Sequence, residues 1–282
     1  MKIKITADST CDLSPELIAE NNIEIFPLFV NKGDESFLDG VTITPAEIFA
    51  HVAAGGDLCS TAAVPIGVYQ DRFEELLKEY DAVVHISLGS GFSSCYNNAC
   101  IAAEEFDAVR VIDSKNLSTG HGHVVMEACA LAQSAEDLDA MQAQLEELTG
   151  RVDASFLLDR LDYMVKGGRC SLVAALGANL LKLKPCIEVV DNHMVVAKKY
   201  RGSMEKCIDR YVRDRLENAD DIIPERIFVT HTLVSEEVHE AIHRAVRESM
   251  TFEKVYDTQA GCTISCHCGE GCQGILYIHK KK

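Results

Sequence analysis

The sequence predicts an α/β protein in two parts, and three observations carry that reading. A chain of 282 residues exceeds what one hydrophobic core usually holds and fits two domains of ordinary size. In its first half, helix signals alternate with short β-branched runs, the pattern of crossover units and a mainly parallel sheet. After about residue 152 paired strands take over, so residues 1–152 read as an N-terminal α/β domain and residues 153–282 as a C-terminal α+β domain.

The elements follow in order. Residues 1–8 alternate like a strand and enter the fold at once, leaving no basic segment followed by an apolar one, so no signal peptide is expected. Strand candidates are residues 3–7, 23–30, 82–88 and 109–113. Between them, Ser14-Pro15-Glu16 sets a capping residue before proline at the first helical position, and Thr44-Pro45-Ala46-Glu47 adds a reciprocal capping box. In the second half, KPCIEVVDNHMVVAKKYR reads as two strands joined at Asp191-Asn192. Residues 203–216 then place Met204, Cys207, Ile208, Tyr211 and Val212 on one helical face. Strands at 226–232, 254–258 and 274–279 bracket one more helix around 235–248, and no internal repeat is present.

Composition narrows the function. With 47% hydrophobic and 25% charged residues the chain can bury enough apolar surface to fold. A formal charge of −17 repels phosphate backbones and anionic membranes, which argues against nucleic acid and for a small-molecule partner. No apolar run approaches the roughly 20 residues of a membrane span, and twelve cysteines fit reduced thiols in a cytoplasmic protein. Seven of them, Cys11, Cys59, Cys95, Cys129, Cys170, Cys186 and Cys207, lie far apart, mostly in helical or strand patterns where cysteine acts as a small hydrophobe.

Four polar constellations stand out. Asp8-Ser9-Thr10 follows the first strand, at the edge where open α/β sheets carry ligands, although a cap or turn explains it equally. HISLGSGFSSCYNNA runs from a strand through Gly89 and Gly91 into a helix whose first turn holds Ser93 and Ser94, a natural anion seat or a simple connection. LDYMVKGGRCS presents Lys166 and Arg169 around two glycines, and KKYRG sets Arg201 beside Gly202, arginine offering a planar fork to carboxylate or phosphate. The Lys166–Arg169 run lacks the order of a Walker-type phosphate loop. The fourth, TISCHCGEGCQG, brings His267 among Cys262, Cys266, Cys268 and Cys272. The spacing C-x3-C-x-C-x3-C matches neither zinc ribbons nor the usual iron–sulfur runs, so no metal site is expected. Read as a strand, residues 263–268 turn Cys266 and Cys268 to one side and His267 to the other.

Taken in order, Asp8-Ser9-Thr10, FSSCYNNA, VIDSKNLSTGHG, KGGRCS, ALG…KP, Arg201-Gly202 and HCGEGCQG resemble the DegV family of bacterial fatty-acid-binding proteins over nearly the whole chain. The resemblance implies a two-domain EDD-type fold that buries an acyl chain and keeps its carboxylate near the domain junction. It also implies, from FakB-type members, a separate ATP-dependent fatty acid kinase as partner, with the acyl phosphate carried onward. On this resemblance the chain itself is a lipid carrier rather than an enzyme, and the fatty acid is a ligand with no cofactor in the chain. Ser93 matches a carboxylate donor, with Thr61 and Ser94 beside it, and Arg169, Arg201 and His267 match positions of head-group, phosphoryl or kinase contact. Asp8, Ser9, Gly168 and Gly269 are supporting positions. The chain departs from the family pattern in TAAVP at 61–65 for Thr-Ser-Gln-Pro-Ser, in Ser94-Cys95 for Gly-Thr, and in Cys268 for Thr or Ser. The alternatives are a stand-alone phosphotransferase or hydrolase using His267, and a metal or redox protein built on the C-terminal cysteines.

Overall fold

The computed structural model describes residues 1–169 and 183–281. Cys170, Ser171 and residues 175–177 of the sequence islands lie outside the described residues.

The N-terminal half is built on a four-stranded sheet of β1 (Ile3–Asp8), β2 (Glu24–Phe26), β6 (Ala82–Ser87) and β7 (Val109–Asp113), ordered β2-β1-β6-β7 and parallel throughout. Both central strands are buried almost end to end, as a parallel sheet covered on both faces requires. Helices α3 (Ile66–Leu76) and α4 (Cys95–Ala103) pack in the core on one face, while α5 (Ser118–Ala132) and α6 (Leu138–Thr149) pack in the core on the other. Both anticipated helix starts are present. Ser14 Oγ accepts from Leu17 N to open α1 (Pro15–Glu20), and Thr44 with Glu47 closes the full capping box of α2 (Pro45–Ala53).

The expected strand at 23–30 is two. Pro27 has no N–H to continue a ladder, so the chain leaves β2 there and enters a separate antiparallel sheet of β3 (Phe29–Lys32), β4 (Glu35–Leu38) and β5 (Ser60–Ala62).

The C-terminal half is a six-stranded sheet ordered β10-β9-β8-β13-β11-β12, from β8 (Val152–Leu157), β9 (Leu183–Val190), β10 (His193–Arg201), β11 (Arg226–His231), β12 (Lys254–Gln259) and β13 (Gln273–Ile278). Strands β9 and β10 turn at Asp191 and Asn192, both at positive φ as a two-residue hairpin loop demands. One face carries α8 (Met204–Arg215) and α9 (Glu236–Ser249), with Met204, Cys207, Ile208, Tyr211 and Val212 buried as their spacing predicted. Two shorter helices, α7 (Asp162–Gly167) and α10 (Cys262–Cys268), lie against each other.

Helix α5 packs between the two larger sheets. Its first eight residues are all buried, and its core joins Ile5 and Val84 of the parallel sheet to Phe228 and Leu276 of the other. Two histidines pin it. His121 Nε2 donates to the Ile86 carbonyl of β6 at 2.9 Å, and His123 Nε2 donates to the Leu276 carbonyl of β13 at 2.9 Å. Gly120 and Gly122 give this helix its close approach, since a Cβ would stand 2.1 Å from Asn116 Oδ1 and 2.6 Å from the Cys11 carbonyl respectively.

Burial lowers the pKa of His121 to about 4 and that of His123 to about 3, Arg226 adding to the second shift. Both folded values lie below the unfolded value of about 6.5, so this contribution to stability is complete above that pH and is lost as pH falls toward the folded values. Histidine-labelled NMR at pH 6 is expected to show both rings neutral with the proton on Nε2. A protonated ring at that pH contradicts the assignment.

Candidate functional site

The segment around His267 is the helix α10, not a strand, which corrects the expectation for residues 263–268. Short β-branched residues there favour extension, but tertiary contacts override them. Buried Asp39 accepts from Cys262 N at 2.8 Å and Thr263 N at 3.1 Å, satisfying donors that a helix start otherwise strands. Asp12 accepts from Gly261 N at 2.9 Å just ahead of them. The helical period turns Cys262 and Cys266 into a small core with Val30 and Ile48, and turns Ile264, His267 and Cys268 toward a cavity.

That cavity, with the solvent-open space at its mouth, encloses about 540 Å³, and its apolar walls include Leu28, Leu88, Phe92, Met164 and Met194. A second cavity of about 330 Å³ shares Leu117, Ile264 and Cys268 with it and continues toward Phe156 and Leu276. The polar groups of the larger cavity come from Thr61, Ser93, Arg169, Thr263 and His267, contributed by segments far apart in sequence.

Thr61 lies in β5, and its Oγ1 is 2.8 Å from His267 Nε2. The other ring nitrogen, Nδ1, is sealed from solvent, has no hydrogen-bond partner among the described residues and faces Gly167, where a Cβ would stand only 2.3 Å away. Burial, followed by the nearby charge of Arg169, lowers the His267 pKa to about 4. The ring is therefore neutral near pH 7 and a weak base, which removes support from a hydrolase that uses it as general base. Arg169 is exposed at the cavity and donates to the Gly167 carbonyl at 2.6 Å.

Ser93 precedes α4, its Oγ accepting from Cys95 N and donating to Cys95 Sγ, each at 3.2 Å. Gly89 and Gly91 serve a second purpose: Asn192 of the β9–β10 turn lies so close that a Cβ on Gly91 would sit 1.9 Å from its carbonyl oxygen. Asn192 Nδ2 also donates to Ser90 Oγ at 2.7 Å, so the hairpin that carries Met194 docks beside Ser93. Backbone N–H groups of Leu88, Gly89, Ser90 and Phe92 are taken by protein acceptors, and Ser93 is the hydroxyl this turn brings to the cavity, free to donate there once it turns from Cys95 Sγ.

Other expected positions stand outside the cavity. Ser94 is exposed at the start of α4 and makes no side-chain cap. Arg201 is exposed at the end of β10, its carbonyl accepting from Arg210. Asp8 is wholly buried and accepts from Tyr69 Oη at 2.6 Å, Ser87 Oγ at 2.7 Å and Leu88 N at 2.8 Å, so it braces a cavity wall from behind. Burial works to raise its pKa, but His85, His121 and Tyr69 together hold it below the usual carboxylate range. Ser9 donates to Asp39 at 3.0 Å and accepts from Leu28 N at 3.1 Å. Sequence reasoning missed Asp39 because it lies 223 residues from Cys262 and no local motif marks it.

The four C-terminal cysteines divide between cores: Cys262 and Cys266 pack with the small sheet, Cys268 and Cys272 in the core that joins the parallel sheet to the six-stranded one. Burial raises the thiol pKa of Cys262 and Cys266 far above the ordinary range, and Cys272 is raised by its hydrogen bond with Cys268 and by burial. Protonated thiols split this way favour packing over thiolate chemistry.

The family model described as "Uncharacterised protein, DegV family" matches residues 2–280. The chain belongs to the DegV family. A DegV domain-containing protein of Clostridium perfringens is 30% identical to it, covering 99% of each chain. The solved structure titled as fatty acid binding of a DegV family protein from Thermus thermophilus has a TM-score of 0.88 at 27% identity, covering 99% of this chain and 100% of that one. That of DegV, a fatty acid binding protein from Bacillus subtilis, has a TM-score of 0.87 at 29% identity over the same shares. The parallel sheet flanked by helices and the second, sheet-rich half are thus the DegV architecture.

Two glycines near the site make a testable contrast. Gly168 and Gly269 have φ of +67° and +71°, but a Cβ on Gly168 meets nothing within 4 Å, whereas on Gly269 it meets the Tyr163 ring at 2.7 Å. Gly168→Ala is expected to cost about 1 kcal/mol of backbone strain. Gly269→Ala adds overpacking of about 1–3 kcal/mol, a difference that denaturant unfolding resolves. Equal costs contradict the described packing of α7 on α10.

Proposed function

We propose that this chain binds a long-chain fatty acid in the paired cavities, presents its carboxylate to a separate ATP-dependent fatty acid kinase, and carries the acyl phosphate onward. The observation that carries the reading is the gathering of Thr61, Ser93, Arg169 and His267 on one otherwise apolar cavity. The fatty-acid-binding titles of the Thermus thermophilus and Bacillus subtilis structures support the ligand class.

The energetics agree with such a ligand. An acyl chain gains about 0.8 kcal/mol per buried CH₂, while an unpaired buried carboxylate is costly, so the apolar walls supply affinity and a few hydroxyls fix the head. In this reading Ser93 and Thr61 donate to the carboxylate, and neutral His267 orients the Thr61 hydroxyl through their 2.8 Å contact. Arg169 at the cavity and the more distant Arg201 offset charge on the acyl phosphate or contact the kinase. Catalysis belongs to the partner, which supplies ATP and magnesium.

Ser93→Ala is expected to weaken fatty-acid affinity by about 1–3 kcal/mol, measured by titration of delipidated protein. Arg201→Ala is expected to bind fatty acid normally and to lower the rate of kinase-dependent acyl-phosphate formation, because its charge acts after binding. Unchanged affinity in the first variant removes the head-group assignment. Wild-type phosphorylation of the second removes the role of Arg201.

A further inference from the structure

Three histidines converge on one carboxylate at the edge of the six-stranded sheet, remote in function from anything described above. His231 ends β11, Asp257 lies beside it on the parallel strand β12, and His239 and His243 sit one turn apart on α9. Nε2 of His239 lies 2.8 Å from Asp257 Oδ2. Nε2 of His243 and of His231 lie 3.4 and 3.6 Å from Asp257 Oδ1. One ligand atom from each of His231, His239 and Asp257 falls within 4.8 Å of the others, the one such group among the described residues.

Two details distinguish this cluster from a chance surface ion pair. His231 Nδ1 donates to the Thr232 carbonyl at 2.6 Å, which fixes the ring with Nε2 turned toward Asp257. The same hydrogen bond is the orienting contact that metal-bound histidines ordinarily make with their second nitrogen. His243 Nε2, in addition, is sealed from solvent without a hydrogen-bond partner.

We propose that His231, His239 and Asp257, with His243 beside them on α9, bind a divalent transition metal of the zinc type. Imidazole and carboxylate suit Zn²⁺, and metal–ligand bonds of 2.0–2.1 Å in a tetrahedron put ligand atoms roughly 3.3–3.4 Å apart. The separations of 3.4 and 3.6 Å lie near that value, while the His239–Asp257 pair, hydrogen-bonded at 2.8 Å, gives up its shared proton and parts by about half an ångström to admit the ion. These three protein ligands leave the fourth position of a tetrahedron to water or to His243, and the ion staples α9 to the paired ends of β11 and β12. In the sequence the signal is His239-x3-His243, two ligands on one helical face.

The test is a zinc titration of the metal-stripped full chain against a chromophoric chelator, with Co²⁺ as a spectroscopic substitute. Wild type is expected to bind one equivalent, to gain thermal stability with it, and to give a tetrahedral cobalt spectrum without thiolate charge transfer. His239→Ala/His243→Ala is expected to lose at least about 100-fold in affinity, because even outer-shell changes cost 10–100-fold. The single variant His239→Gln, at a side chain 31% exposed, tests the same point with little risk to folding, and it too is expected to lose the zinc-dependent stabilisation. The proposal is overturned if wild type takes up no stoichiometric zinc, if either folded variant binds as wild type does, or if cobalt reports thiolate ligands.

Discussion

The buried carboxylate of Asp39 is the constraint on which the candidate site depends. It accepts from two N–H groups at the start of α10 and from Ser9 Oγ, tying the helix that carries His267 to the loop after β1. Ser9 in turn holds Leu28 N, and Leu28 lines the cavity. Removing that carboxylate would leave several buried donors unsatisfied at once, each costing about 1–3 kcal/mol. The negative charge also sits at the positive end of the helix, which favours it further. Asp12, beside Gly261, is buried enough that its pKa is raised to about 8 despite donors from Ser118 and Gly261, so the junction holds one carboxyl group close to neutrality at physiological pH.

The same economy of buried polar groups explains how the two larger sheets are held. Helix α5 meets apolar side chains on both sides and exchanges one histidine hydrogen bond with each sheet. The cavities lie on the other side of this arrangement, where Leu117 just before α5 contributes to both. An apolar volume bounded by α10, the β9–β10 hairpin and the loop into α4 thus forms where three sheets fail to close completely, and its few polar atoms point inward.

Much of this was legible in the sequence. Capping at Ser14 and Thr44, the Asp191-Asn192 turn and the buried face of α8 all follow local rules, and the structure contains each of them. Ser93, Thr61, Arg169 and His267 came from a resemblance and do meet at one cavity. What local rules could not supply is tertiary in origin. Residues 118–123, all serine, threonine, glycine or histidine, carry no apolar helical pattern of their own, yet they are helix, and their small residues let it pass between two sheets. The segment 263–268 is helical because a distant aspartate caps it, and Gly89 and Gly91 are glycines because a hairpin tip rests on them. Asp257 and the histidines around it belong to three elements that only the folded chain brings together.

The central claim is that the larger cavity seats a carboxylate among hydroxyls while burying the attached chain. A crystal structure of the protein saturated with a long-chain fatty acid tests it most directly. The account predicts carboxylate oxygens within hydrogen-bond distance of Ser93 Oγ and Thr61 Oγ1, with the acyl chain running past Ile264 and Cys268 toward Phe156. A fatty acid bound with its carboxylate away from these hydroxyls, or cavities left without ligand at saturating concentration, would contradict it.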